Sequence, residues 1–203
     1  MLIFPPAPAH WSALADLYQH KGPPWITDIE RRVTKGLPGA QDVYAVISLT
    51  GTLVAGAGLN KLGEVGVLGH CFTRPESRRQ GAARKLIAAL LAWFDMTGGK
   101  WLYLATTTDL ADGLFGKFGF SLLRRVAWTP ADRVTMVRKR GGGETPYSEV
   151  GGEVTIRPLD RAAWPAMVAL LQYCAGPDPR VSMAESAVIA ELFTLDLMDH
   201  QER

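Results

Sequence analysis

The stretch Cys71-Phe72-Thr73-Arg74-Pro75-Glu76-Ser77-Arg78-Arg79-Gln80-Gly81-Ala82-Ala83-Arg84-Lys85-Leu86 constrains the fold more than any other. Pro75 cannot donate to a strand ladder, so it ends the β-like run Val65–Thr73. Beyond it Ala83, Leu86, Ile87, Leu90, Leu91 and Phe94 recur at helical spacing, which predicts a helix over Gly81–Met96 with one wide apolar face. Small residues at 81–83 open that helix, and Arg78, Arg79, Arg84 and Lys85 surround its start. Unpaired N–H groups, the positive end of the helix dipole and the lack of side-chain bulk together make a cradle for phosphate.

The flanking patterns alternate between strand and helix. Leu2–Phe4 reads as a short strand, and Ala9–His20 as a helix with Trp11, Leu14, Ala15 and Tyr18 on one side. Thr27 is placed to cap a second helix running to Lys35, where Gly36 and Pro38 stop it. Val43–Leu49 and Leu53–Leu59 form a hairpin around Thr50-Gly51-Thr52. After the central helix come a strand at Trp101–Ala105, a short helix at Asp109–Phe118 ended by Gly119, and strands at Phe120–Trp128 and Arg133–Arg138. The expected class is α/β: a mixed, mostly antiparallel sheet flanked by helices.

Charge divides the chain near residue 140. Residues 1–140 carry 18 Lys and Arg against 10 Asp and Glu, whereas residues 141–203 carry 4 against 10. The basic part suits an anionic ligand and the acidic tail does not. Gly141-Gly142-Gly143 and Gly151-Gly152 mark 141–152 as a linker. Residues 2–19 laid on 155–172 share seven identities, Ile3/Ile156, Pro5/Pro158, Ala9/Ala162, Trp11/Trp164, Ala13/Ala166, Leu17/Leu170 and Gln19/Gln172. About one would arise by chance. The sequence therefore predicts one unit over 1–140 and the opening of a second copy over 153–203.

Several chemistries drop out. Cys71 and Cys174 are the two cysteines, too few for a disulfide framework or a four-cysteine zinc site, and His10, His20, His70 and His200 are dispersed, so no metal is expected. Gly56-Ala57-Gly58-Leu59-Asn60-Lys61 has lysine where a dinucleotide fingerprint needs its third glycine, and reads instead as a strand with small side chains. Neither G-x-S-x-G nor H-E-x-x-H occurs. No apolar run reaches the roughly 18–20 residues of a bilayer span, and the first residues lack a basic stretch ahead of an apolar one, so the expected location is the cytoplasm without membrane attachment.

Arg78-Arg79-Gln80-Gly81-Ala82-Ala83 resembles the Q/R-x-x-G-x-G/A acyl-CoA motif of the GNAT superfamily of N-acetyltransferases, and Leu114-Phe115-Gly116-Lys117-Phe118-Gly119-Phe120 resembles that family's L-Y-x-K-x-G-F ending. The resemblance extends in element order over residues 1 to about 140. It implies an acyl-CoA-dependent N-acyltransferase with acetyl-CoA or a related thioester as donor and an amine of a small molecule or protein as acceptor. The donor would lie between the strand ending at Thr73 and the one starting at Trp101. Backbone groups of Cys71, Phe72 and Thr73 would pair with its pantetheine arm, and Arg78, Arg79, Gln80, Gly81, Ala82, Ala83 and Arg84 would take the pyrophosphate. A backbone N–H near Phe72 or Thr73 would stabilise the oxyanion.

Thr108 falls where the family often has an asparagine on the cofactor, with Asp109 as the helix cap, and Phe115 where it commonly has the tyrosine that protonates the leaving thiolate. Phe115 has no ionisable group, which opens a second reading as a non-catalytic acyl-CoA-binding module. Glu64 and His70 are the candidate bases; each also has an ordinary role, as a turn carboxylate and a packed strand residue. Cys71 reads as a small hydrophobe rather than a nucleophile. A nucleic-acid patch of Arg74, Arg78, Arg79, Arg84 and Lys85 lacks interleaved aromatics for stacking and is not expected. The acceptor's identity and the oligomeric state, a homodimer included, stay open.

Overall fold

Pro23 and Pro24 decide where the second helix begins, because a proline ring fixes φ and its missing N–H costs nothing in a first helical turn. The helix runs Pro23–Lys35 from an N-cap at Gly22, so the expected start at Thr27 is corrected: Thr27 lies inside it. Gly36 ends it at φ 71°, its N–H bonded to the Arg32 carbonyl at 2.9 Å. These features come from a computed structural model that describes residues 1–37, 39–126, 133–141, 163 and 165–167. Most of the expected linker and second copy lies outside the described residues, as does the 127–128 end of the strand expected over Phe120–Trp128.

The element order is β1 (Leu2–Ile3), α1 (Trp11–Tyr18), α2 (Pro23–Lys35), β2 (Gln41–Leu49), β3 (Thr52–Leu62), β4 (Val65–Thr73), α3 (Ala82–Met96), β5 (Trp101–Thr107), α4 (Thr108–Gly113), β6 (Ser121–Val126) and β7 (Arg133–Lys139). The sheet has seven strands in the order β1-β2-β3-β4-β5-β7-β6, and among the printed registers β4 with β5 is parallel while the rest are antiparallel. The α/β expectation holds. The helix expected over Asp109–Phe118 is two pieces, α4 and a 3-10 turn at Phe115–Phe118, closed by Gly119 at φ 81°.

The chain divides into two compact units. The first comprises Met1–Lys61 and Leu68–Gly98. In it Leu14, Leu17 and Tyr18 of α1 and Ile29 and Val33 of α2 bury themselves with Tyr44 and Val46 of β2. Val43 and Ala45, on the opposite face of β2 by strand alternation, are buried as well, and α3 packs on this strand through a helix whose Leu86, Ile87, Leu90, Leu91 and Phe94 are all buried. Thr50 and Gly51, both at positive φ, turn the chain so that Leu49 faces Thr52.

The small side chains of β3 have a packing reason. A Cβ on Gly56 would stand 2.7 Å from the Tyr18 hydroxyl and 2.8 Å from Leu17 Cδ2, and one on Gly58 would stand 2.9 Å from Tyr44 Cε1. The two glycines are thus the floor on which the tyrosines lie.

The second unit comprises Leu62–Val67 and Gly99–Arg203. Its sheet pairs Val65, Gly66 and Val67 with Trp101, Leu102 and Tyr103, and all of β5 with β7. Val65, Trp101, Tyr103 and Val137 form its buried cluster. The turn before β4 is tied to β5 by the Glu64 carbonyl, which accepts N–H bonds from Lys100 at 2.7 Å and Trp101 at 3.0 Å.

Gly56→Ala should cost about 1–3 kcal/mol, because buried rings must shift to admit the methyl group. Gly69→Ala in β4, where a Cβ meets nothing within 4 Å, should stay within about 0.5 kcal/mol of wild type. Urea denaturation of both variants checks this; equal effects would show that the Gly56 contact is not limiting.

Candidate functional site

The cradle is built by backbone. After Thr73 the chain makes a 3-10 turn at Pro75–Ser77, passes Arg78 in extended conformation, takes left-handed values at Arg79 (φ 62°) and Gly81 (φ 79°), and enters α3 at Ala82. A left-handed arginine costs roughly 1–2 kcal/mol, strain that packed surroundings must hold. A Cβ at Gly81 would meet nothing within 4 Å, so the space in front of the helix start is open. Ala82 is buried and Ala83 half-buried, which keeps the first turn free of projecting side chains, while Arg79, Gln80, Arg84 and Lys85 are exposed around it.

Other groups anchor this loop. Arg78 donates from Nε to the Thr73 carbonyl at 3.1 Å, and Gln80 donates from Nε2 to the Glu76 carbonyl at 3.4 Å. Arg74 donates from its backbone N–H to Val54 at 2.9 Å, from Nε to the Leu53 carbonyl at 2.9 Å, and from Nη2 to Asp16 at 2.6 Å. Arg74 is therefore a clamp between β4, β3 and α1. The basic stretch contains anchoring arginines and exposed ones, which sequence alone does not separate.

A second group gathers on β4 in front of α1 and α2. The half-buried His70 has φ 54°, a left-handed value that is rare and strained outside glycine. Its ring lies 6.2 Å from that of Tyr18 and 5.8 Å, edge to face, from that of Trp25. Phe72, two residues on, stacks on His20 with centroids 3.9 Å apart. The hydroxyls of Tyr18 and Tyr44 are fully buried with no hydrogen-bond partner among the described residues. Burial, with neighbouring anionic forms, holds the Tyr18 phenol well above its ordinary value. The sequence marked Tyr18 as one residue of a helix face and His20 as one of four dispersed histidines, and gave no sign of Trp25, since all three meet β4 through contacts that no local spacing encodes.

Behind this group Arg32, 6% exposed, forms a two-pronged pair with Asp42: Nε donates to Oδ2 at 3.2 Å and Nη2 to Oδ1. Asp28 stands 3.5 Å from its Nη1, and Asn60 donates to Asp42 Oδ1 at 2.8 Å. Burial first, then the Arg32 and Lys21 charges, push the His70 imidazole well below its usual value. His20 is lowered too, by burial and then by Lys21, with Arg78 adding to it. Cys71 is solvent-exposed, and desolvation by the surrounding protein pushes its thiol up to about 12, the direction opposite to an activated nucleophile.

The remaining expected residues lie in the second unit. Glu64 is exposed in the turn before β4, with Oε1 2.7 Å from Lys100 Nζ. Thr108 opens α4, but the cap is Thr107, so the expectation of an Asp109 cap is corrected. Asp109 sits in the first turn, its carboxyl held below the ordinary range by the Thr107 hydroxyl and then by backbone N–H groups. Phe115 is 4% exposed and packs edge to face on Phe120 at 5.9 Å.

A strand broken at Pro75 thus leads into a helix opened by Gly81, and side chains from α1, α2 and the turn between them pack on the last residues of that strand. The sequence model of the acetyltransferase (GNAT) family matches residues 11–120, more than half of the chain, and the chain belongs to that family. Among solved structures it is similar in fold to an aminoglycoside 6'-N-acetyltransferase complexed with coenzyme A (TM-score 0.53, 16% identity, 68% of this chain and 96% of that one). It is likewise similar to a GNAT family N-acetyltransferase from Escherichia coli in complex with CoA (TM-score 0.51, 16% identity, 68% and 80%). No curated protein matches it. Among the described residues no helix is long and apolar enough to cross a membrane.

A base whose folded value is depressed binds its proton more weakly than in the unfolded chain. The stability His70 contributes is therefore full above its unfolded value of about 6.5 and is lost as pH falls through the window beneath it. Denaturation at about pH 7.5 and about 5.5 should show a loss on acidification that shrinks in His70→Gln, with exposed His20 contributing in the same direction. An unchanged difference in the variant would mean His70 carries no such linkage.

Proposed function

We propose that the protein transfers an acyl group from acetyl-CoA, or a related acyl-CoA, to an amine of a small molecule or protein. The observation that carries this reading is the open helix start: left-handed Arg79 and Gly81, no atom within 4 Å of a Gly81 Cβ, and Arg79, Arg84 and Lys85 around it. These features fit a pyrophosphate. Amides of residues 79–84 would bind it, with the basic side chains adding charge. When bound, the donor supplies an activated thioester.

The chain's own residues then have four tasks. The backbone of Cys71, Phe72 and Thr73 holds the pantetheine arm as an added strand on β4, where side-chain identity matters little. An N–H at Phe72 or Thr73 faces the developing oxyanion. The motif resemblance assigns Thr108 and Phe115 to the donor's thiol end. The fourth task, taking the proton of the attacking amine, suits His70: its imidazole is neutral near pH 7, because burial and two cations disfavour the charged form. Glu64, the other candidate, has its carboxylate on Lys100.

With phenylalanine at 115 the thiolate leaves without a tyrosine acid. A free thiol's pKa near 8.5 makes that departure tolerable at neutral pH. Phe115 is also the observation that favours the second reading, a binding module without turnover.

Acetyl-CoA should raise the melting temperature, and Arg78→Glu or Gly81→Glu should abolish the rise by setting charge or bulk against the amides. At 100 times the dissociation constant the lost stabilisation is about 2.7 kcal/mol. An undiminished shift in both variants would refute the cradle. Thiol release on a broad amine panel separates the two readings: the transferase releases thiol, and His70→Gln lowers the rate by about 10²–10⁴-fold. The binding module is stabilised by acetyl-CoA yet releases none.

A further inference from the structure

We propose that His20, in the turn between α1 and α2, is an anion-binding residue of the donor site, which takes up a proton as an acyl-CoA binds and holds the donor's diphosphate together with the Arg78–Ala83 loop. The inference rests on the N-acyltransferase reading and adds to its site a residue from outside the motif.

Three observations in the first unit converge on it. The first is position. The His20 imidazole lies on the Phe72 ring with centroids 3.9 Å apart and 28° between the planes, so it covers the face of Phe72 and turns its own rim outward. The next residue of β4, Thr73, gives its carbonyl to Arg78 Nε at 3.1 Å. Imidazole, strand end and the loop that enters α3 are thus joined by a short run of contacts within one compact unit. His20 is exposed, and a donor whose arm pairs with Cys71–Thr73 on its way to the helix start passes this rim.

The second is hydrogen-bonding capacity. The Leu17 carbonyl accepts a hydrogen bond from the His20 ring. A neutral imidazole has one N–H, and here Leu17 takes it; the other nitrogen then offers a lone pair, which repels a phosphate oxygen. Protonation turns that nitrogen into a second donor and adds a charge to the bond it makes. The Leu17 carbonyl and the face of Phe72 both accommodate the charged ring, the first as an acceptor and the second through its quadrupole.

The third is the field. Burial first, then the Lys21 charge and that of Arg78, hold the imidazole below its ordinary value, with the Leu17 carbonyl opposing them. Lys21 engages other groups as well, Asp16 of α1 is held by Arg74 at 2.6 Å, and Phe72 of β4 brings no charge. Without donor the ring is therefore mostly neutral at about pH 7. A diphosphate at the helix start reverses the sign of the field, and an opposite charge at that range favours the imidazolium. Donor affinity is then highest at low pH and falls as pH rises through the value that the bound form takes.

The test uses the full chain with dephospho-CoA, whose diphosphate does not itself titrate in the neutral range, and with pantetheine, which has no phosphate. NMR follows the His20 ring protons against pH, and calorimetry in two buffers of different ionisation enthalpy counts the protons taken up. Dephospho-CoA should raise the His20 pKa and bring proton uptake at neutral pH, whereas pantetheine should do neither. Affinity for dephospho-CoA should fall about three- to tenfold between about pH 6 and about 8.5, as expected for a charge-assisted contact at an exposed site. His20→Asn should abolish the uptake and keep the affinity of the high-pH form throughout. His20→Arg, charged at every pH, should bind tightly across the range.

A His20 pKa unmoved by bound dephospho-CoA, or proton uptake that persists in His20→Asn, would overturn the proposal and leave the transferase reading standing. Failure of dephospho-CoA and acetyl-CoA alike to bind at any pH would overturn both. Proton uptake at His20 with no thiol release from acetyl-CoA on any amine would leave this assignment standing and refute the transferase reading instead.

Discussion

The missing Cβ atoms of Gly56 and Gly58 set the geometry of the first unit. With alanine at either position a methyl group would stand within 3 Å of Tyr18, Leu17 or Tyr44 atoms. Without it the tyrosine rings lie on β3, α1 closes down on the strand, and α2 follows through Ile29 and Val33. That closure carries His20 and Trp25 to β4, where they meet Phe72 and His70. The strand residues least able to do chemistry thus determine where the chemically capable ones stand.

Charge burial accompanies this packing. Arg32 and Asp42 satisfy each other with Asp28 and Asn60 beside them, and removing one member of such a pair costs about 3–5 kcal/mol because its partner stays buried and charged. The pair holds α2 on β2 at a fixed height and places a cation behind His70. Structure and electrostatics are coupled here: the group that fastens the helix also disfavours a charged imidazole.

The cradle works differently. Its contribution comes from N–H groups and from two left-handed residues, and the arginines of the same stretch divide into anchors and exposed charges. Arg74 spends its donors on Leu53 and Asp16, and Arg78 reaches Thr73, while Arg79, Arg84 and Lys85 stay at the helix start. A run of basic residues states a total charge, and the fold decides how much of it is held in anchors and how much stays exposed.

What is local was legible in the order of the residues. The apolar spacing from Ala83 to Phe94 required α3, Pro75 and Gly81 fixed its approach, Thr50-Gly51 fixed the hairpin, and the Arg78–Ala83 motif pointed to the family. These follow from periodicity and backbone restriction within a few residues. Contacts between distant partners emerge with the fold: Arg32 with Asp42, Glu64 with Lys100, Phe115 against Phe120, and the meeting of Tyr18, Trp25 and His70. The start of α2 was local and legible in Pro23-Pro24, yet Thr27 offered a competing cap in the same window. Residues 52 apart, such as Tyr18 and His70, become neighbours through strand order and helix closure, which no short-range pattern specifies.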